Sequence, residues 1–267
     1  MLYMLYMVGQ CLGVTGDTNE DDILNTCMEM EERYAKYAKA VPSPEPGLKG
    51  GPCSTFASRS CCKTGVSDHW QNLTLSYAHC PQKETLTPIC NQRFEEELCF
   101  YLCSPDVGPW IKTGHYGKKD AFVNLTICQS TCDLWYSACQ EEHTCSDNWY
   151  YGFNMSTGMM VCLEESKCDK FDKHFTTAKM FCEQVWNNAY KVVPDDEPCM
   201  QFTYDITSGA NPNKAVAEAR AKGLASSNSS REVPHAPNAG LQTSSIIPVL
   251  QMFSSLVISA TLFSIWT

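Results

Sequence analysis

The most reactive side chains in this 267-residue chain are its seventeen cysteines. Cys99-x3-Cys103 and Cys128-x3-Cys132 have the one-turn spacing at which two thiolates on a helix can hold a zinc ion, and the same spacing suits two disulfides leaving one helix face. Compartment separates these chemistries. Residues 1–16, MLYMLYMVGQCLGVTG, carry no charged side chain and end on Gly16, the composition of a secretory signal peptide cleaved near Gly16–Asp17. Removing Cys11 with that segment leaves sixteen: Cys27, Cys53, Cys61, Cys62, Cys80, Cys90, Cys99, Cys103, Cys128, Cys132, Cys139, Cys145, Cys162, Cys168, Cys182 and Cys199. In an oxidising compartment disulfides prevail over zinc thiolates, so eight bridges are expected. Adjacent Cys61 and Cys62 must take different partners, because a vicinal disulfide is strained.

Other catalytic signatures are missing from the sequence. The six histidines form no HExxH pair, and there is no Cys-x-x-Cys, GxSxG or phosphate-cradling glycine loop. Glu95, Glu96 and Glu97 could do acid–base work, but a run of glutamates in a helix more often forms its solvated face. No catalytic residue, metal or cofactor is expected, and the chain does not read as an enzyme. With a formal net charge of −10 it has no basic field for nucleic acid.

Aromatic residues are interleaved with the cysteines: Tyr101, Trp110, Trp135, Tyr136, Trp149, Tyr150, Tyr151, Phe153, Trp186 and Tyr190. They either supplement a small core, the reading favoured for Trp110 and Trp135, or form a stacking slot for a flat heteroaromatic ligand. Such stacking adds roughly 0.5–1.5 kcal/mol per contact beyond burial. Composition leaves both open.

Hydrophobic spacing predicts the elements that must position these groups. PICNQRFEEELCFYLC reads as a helix with Phe94, Leu98 and Tyr101 at three-and-four spacing. LTICQSTCDLWYSACQEE reads as a second, with Cys128, Cys132, Leu134, Trp135 and Cys139 towards one side. AKMFCEQVWNNAYKVV reads as a third, carrying Met180, Cys182, Val185, Trp186 and Tyr190, and Asn211–Ala225 as a last. Asp21–Ala40 is helical in part until PSPEPGLKGGP breaks it, and strands are expected to be short. Residues 226–238 read as a Ser/Pro-rich stalk.

Ile246–Thr267 is apolar and about long enough to span a bilayer, with no Lys or Arg after it. Small residues Asn238-Ala239-Gly240 and the spacer LQTSS precede it, the pattern of a GPI-attachment signal over 239–267 with Asn238 as acceptor. Ser226-Ser227-Asn228 is an alternative acceptor, and a permanent transmembrane helix an alternative anchor. Sequons at Asn72, Asn124, Asn154 and Asn228 suit a glycosylated domain on the outer face of a cell.

The motifs ILNTCM, SRSCC, CFYLCSPDVGPWI, LTICQSTCDLWYSAC, TCSDNWYYGFNMSTG and VWNNAYKV stand in the order and spacing of the folate receptor family. That family also includes the riboflavin-binding proteins and the egg-surface Juno proteins, and the chain resembles it from Ile23 to Tyr204. The resemblance implies a mainly α, compact, disulfide-rich globule over residues 17–225, with a few short strands and a deep pocket.

It also implies a ligand site. In folate receptors a Tyr and a Trp sandwich the pterin, and Tyr101 and Trp186 match them. Glu97 matches the acid that reads the pterin's amino edge, one methylene longer. Trp149 and Tyr190 match wall aromatics, Tyr77 stands for a Trp, and Lys118 and Ala121 stand for two Arg. Tyr150-Tyr151 replace a His-Lys pair, Phe153, Met155 and Gly117 replace Trp, and Ala189 replaces a Ser. Losing two charged hydrogen bonds at about 1.5–3 kcal/mol each would weaken folate binding roughly 10²- to 10⁴-fold. The residues of 104–110 are expected to shape the pocket exit.

The function this implies is cell-surface binding and endocytic uptake of folate or a related pterin, with release when Glu97 is protonated. Two alternatives stay open: a riboflavin binder, and a Juno-like adhesion protein with a vestigial pocket and a protein partner on another cell.

Overall fold

The structure, a computed structural model, describes residues 19–30, 32–66, 80, 86–115, 118–154 and 160–229. The signal segment, Asn72, Tyr77, Gly117, Met155 and the C-terminal tail with Asn238 lie outside the described residues. The helices are α1 (Glu20–Leu24), α2 (Glu32–Ala35), α3 (Pro88–Cys103), α4 (Gln129–Cys139), α5 (Phe171–His174), α6 (Ala178–Gln184) and α7 (Pro212–Ser229). The strands are β1 (Ala38–Ser43), β2 (Ser60–Cys62), β3 (Ile111–Thr113), β4 (Asp120–Phe122), β5 (Leu125–Cys128), β6 (His143–Thr144), β7 (Phe153–Asn154), β8 (Val161–Cys162), β9 (Asp169–Lys170) and β10 (Tyr190–Val193). They associate only in pairs: β1–β2, β3–β4, β6–β9 and β7–β8 antiparallel, β5–β10 parallel. The fold is mainly α with short strands, as expected.

Helix α3 is the axis of the domain. It begins with Pro88 at a position where the missing N–H is not needed. Thr87 does not cap it with its own side chain. Instead buried Glu142 reaches in, and its Oε1 accepts the Thr87 backbone N–H at 2.9 Å. Cys90, Phe94, Glu97 and Tyr101 recur at three or four residues and so share one stripe. Three disulfides fasten the helix: Cys90–Cys139 to α4, Cys62–Cys103 to β2, and Cys53–Cys99 to the loop before β2. Their loops span 49, 41 and 46 residues. On chain-entropy grounds each bridge disfavours the unfolded chain by roughly 4 kcal/mol.

The remaining bridges are Cys27–Cys61, Cys80–Cys168, Cys128–Cys199, Cys132–Cys182 and Cys145–Cys162, so all sixteen cysteines are paired and Cys61 and Cys62 have different partners. Two clusters, Cys80/Cys162/Cys168 and Cys128/Asp195/Cys199, bring donor atoms together, but every sulfur in them belongs to a disulfide.

Local structure departs from the sequence reading at five places. The second helix starts only at Gln129, because β-branched Thr126 and Ile127 in β5 pair in parallel with β10. Its inner stripe is Cys132, Trp135 and Cys139; Leu134 lies off that stripe and is 54% exposed. The third helix ends at Gln184, because Asn187 and Asn188 take φ of +53° and +61°, a left-handed region that Asn tolerates. Trp186 therefore sits in a turn and Tyr190 opens β10. Ala38–Ser43 is a strand paired with β2 rather than the end of a helix, and α7 runs to Ser229, through the start of the expected stalk. Finally, residues 104–110 pack against α1 and α7. Trp110 is buried, and a Cβ on Gly108 would fall 2.0 Å from the Ile23 carbonyl oxygen.

Candidate ligand-binding site

The three consecutive glutamates of α3 meet different fates. Asn91 Nδ2 donates to Glu95 Oε1 at 3.0 Å, and Arg93 pairs with Glu96 at 2.6 Å, both towards the outer face. Glu97 turns inward and is 3% exposed. The Tyr190 hydroxyl donates to its Oε1 at 2.5 Å. Burial pushes the Glu97 carboxyl up to about 7, while the Tyr190 hydroxyl, the Lys118 ammonium and the Trp186 indole N–H pull the other way. Such an acid changes charge close to neutral pH, a property concentrated at functional sites.

Tyr190 is delivered by the parallel pairing of β10 with β5, in which it lies opposite Leu125. Its ring packs among Phe100, Phe122 and Phe202, with centroids 5.4–6.5 Å away. The expected wall aromatic is thus a hydrogen-bond donor to the central acid. The two residues are 93 positions apart, so no local pattern could have revealed that.

Trp186 is placed by the turn after α6. The Ala189 N–H donates to the Trp186 carbonyl at 3.1 Å, the Trp149 N–H to the Val185 carbonyl at 2.8 Å, and Asn148 Nδ2 to Asn187 Oδ1 at 2.9 Å. Trp186 meets Trp149 edge-on at 5.6 Å. Trp149 in turn stacks on Phe94 at 5.1 Å with the planes 6° apart, and its indole N–H donates to Thr144 Oγ1 at 3.0 Å. Buried Phe153 packs edge-on to Trp149 at 6.1 Å. Trp149 and Phe153 therefore back Trp186 from within the core.

Lys118 enters between β3 and β4. Its Nζ lies 5.5 Å from the Tyr101 ring centre and 4.9 Å from that of Tyr150, a cation held between two π faces. Tyr101 rests on Phe122 at 5.0 Å. Tyr190, Trp186 and Lys118 act on one acid, Glu97, with Tyr101 and Tyr150 joined to it through Lys118. The arrangement offers flat apolar surface, one acid near its titration point and one ammonium, which suits a planar heterocycle with a donor edge. A separate groove of about 600 Å³ shares none of these residues; its lining includes Trp110, Asn124, Thr126, Lys191 and Arg220.

The model of the folate receptor family matches residues 26–201. The chain is 32% identical to folate receptor gamma of Homo sapiens over 206 residues, covering 74% of this chain and 80% of that protein. It is 32% identical to folate receptor alpha of Bos taurus over 73% of this chain and 81% of the relative. It is 27% identical to the riboflavin-binding protein of Gallus gallus over 67% of this chain and 74% of that protein.

Proposed function

Because the chain belongs to the folate receptor family, we propose that it is a cell-surface vitamin receptor binding folate or a related pterin non-covalently and carrying it inward by endocytosis. The observation that carries this reading is Glu97, buried on a helix fastened by three disulfides and addressed by Tyr190, Trp186 and Lys118. A pterin presents an amino edge whose N–H groups donate to a carboxylate; a charge-assisted bond of this kind contributes about 1.5–3 kcal/mol. Tyr101 and Trp186 supply the stacking rings. Lys118 answers an oxygen-bearing edge or the glutamate carboxylates of folate. A GPI anchor at Asn238 and glycans on the domain complete the reading as a tethered extracellular protein, and the eight disulfides suit that compartment.

The test is to express the chain through a secretory pathway and follow intrinsic tryptophan fluorescence during titration with folic acid, 5-methyltetrahydrofolate and riboflavin. Saturable quenching by a folate is expected. Quenching by riboflavin alone would overturn the pterin reading in favour of flavin binding, the activity in the name of the Gallus gallus relative. No response to any of the three would favour a protein partner on another cell.

A further inference from the structure

The sequon Asn124-Leu125-Thr126 plays no part in the site around Glu97. Leu125 is fully buried in β5, whereas Asn124 just before it is exposed, with φ +53° and its N–H donated to the Asn188 carbonyl at 3.1 Å. Asn124 and Thr126 both line the groove of about 600 Å³ that runs between the β5–β10 pair and α7.

The other walls match a carbohydrate. Pro198, Val216 and Ala219, over the edge of buried Trp110, give apolar surface for the C–H faces of sugar rings, while Lys191 and Arg220 place donors on the rims for hydroxyl and acetamido oxygens. Lys191 is the register partner of Thr126, and Val216 and Arg220 are one turn apart on α7. The volume falls within the roughly 300–1,000 Å³ of small-molecule sites. That is room for the first sugars of a glycan. Asn154, the acceptor position of another sequon, lies in β7 and is exposed without lining this groove.

We propose that Asn124 carries an N-linked glycan whose first sugars lie in this groove and cover the flank of α7. The bond forms when Asn124 Nδ2 attacks the anomeric carbon of a lipid-pyrophosphate-linked oligosaccharide. The bond from that carbon to the pyrophosphate oxygen breaks, and the amide proton leaves with the lipid pyrophosphate. Thr126 supplies the hydroxyl that the sequon requires. The inference is independent of which ligand Glu97 serves.

The experiment is site-resolved release by peptide-N-glycosidase in ¹⁸O water, with mass spectrometry of the Asn124 peptide, on full-length protein from animal cells. Asn124 should be occupied, and Thr126→Ala should abolish occupancy while Thr126→Ser keeps it. If the glycan leaves its cradle about one part in ten, release from the native protein runs about tenfold slower than from the reduced, denatured protein. Ala219→Trp, which fills the groove, should bring the native rate up to the denatured one. Lys191→Glu with Arg220→Glu, at two exposed positions, reads the same ratio if the tryptophan variant is not secreted. An unmodified Asn124 peptide would overturn the proposal. So would equal native and denatured rates in the unmutated protein.

Discussion

Glu97 and Asp106 stand nine residues apart, both 3% exposed and both with carboxyls pushed upward by burial. Their partners make them different objects. Asp106 faces Arg59 at 3.5 Å and accepts from Asn211 Nδ2 at 2.8 Å. Arg59 also donates to the Pro105 and Leu24 carbonyls and to Asn25 Oδ1, and the Asn211 side chain accepts from the Asn213 backbone at the start of α7. That acid is a rivet between α1, the 104–110 corner and α7. Glu97 is met by a tyrosine hydroxyl, an indole and a lysine held over two rings. An upward shift alone does not separate a structural acid from a working one. The chemistry of the groups turned towards it does.

The sharpest break between the two acids is in pH dependence. If binding needs ionised Glu97 with its carboxyl at about 7, pterin affinity should fall about 70-fold between pH 7.4 and 5. In Glu97→Gln that slope should flatten, with affinity at pH 7.4 reduced roughly 10- to 100-fold. Stability moves the opposite way. The folded carboxyl at about 7 lies above the ordinary 4.5, so the folded state holds the extra proton between those values. Ligand-free protein therefore loses stability as pH rises from 4.5 to 7, by roughly 3 kcal/mol, and no more above it. Glu97→Gln escapes this loss: it should melt higher than the parent at pH 8 and level with it near pH 4.5. Thermal unfolding at the two pH values checks this.

Asp106→Ala should destabilise the protein by about 2–3 kcal/mol, since the Arg59 side chain it strands is itself partly solvated. The melting temperature should fall by roughly 5–10 °C, with the pH profile of binding unchanged. A changed profile would mean that the two acids are coupled. Tyr190→Phe comes next: affinity should drop about tenfold and the pH midpoint of binding should rise, because a bond that favours the anion is gone. Lys118→Met should move the midpoint the same way with less than about tenfold loss of affinity, the ammonium being partly solvated. Titrations at several pH values separate these last two.

Much of α3 was legible before any coordinates. Phe94, Leu98 and Tyr101 recur at helical spacing, but the run Glu95–Glu97 read as a solvated face and only the resemblance singled out Glu97; its place three residues after Phe94 and four before Tyr101 puts it on the inner stripe. The disulfide count was legible too, since it follows from compartment and parity; the connectivity was not, since it depends on which elements meet. The reading failed where short segments are decided by distant partners. LTIC joins smoothly to the helix after it, and only pairing with Tyr190–Val193 makes it a strand. Asn187-Asn188 was the overlooked local signal: two residues tolerant of left-handed backbone end α6 and release Trp186 and Tyr190 from it. The capping of α3 by Glu142 joins positions 55 apart and left no trace in either segment.

The three bridges along α3 also bear on time. A helix tied at Cys90, Cys99 and Cys103 is held to its neighbours while the charge on Glu97 changes. The response at Glu97 is then paced by proton arrival and side-chain rotation, far faster than the microsecond-to-millisecond opening of a hinged lid.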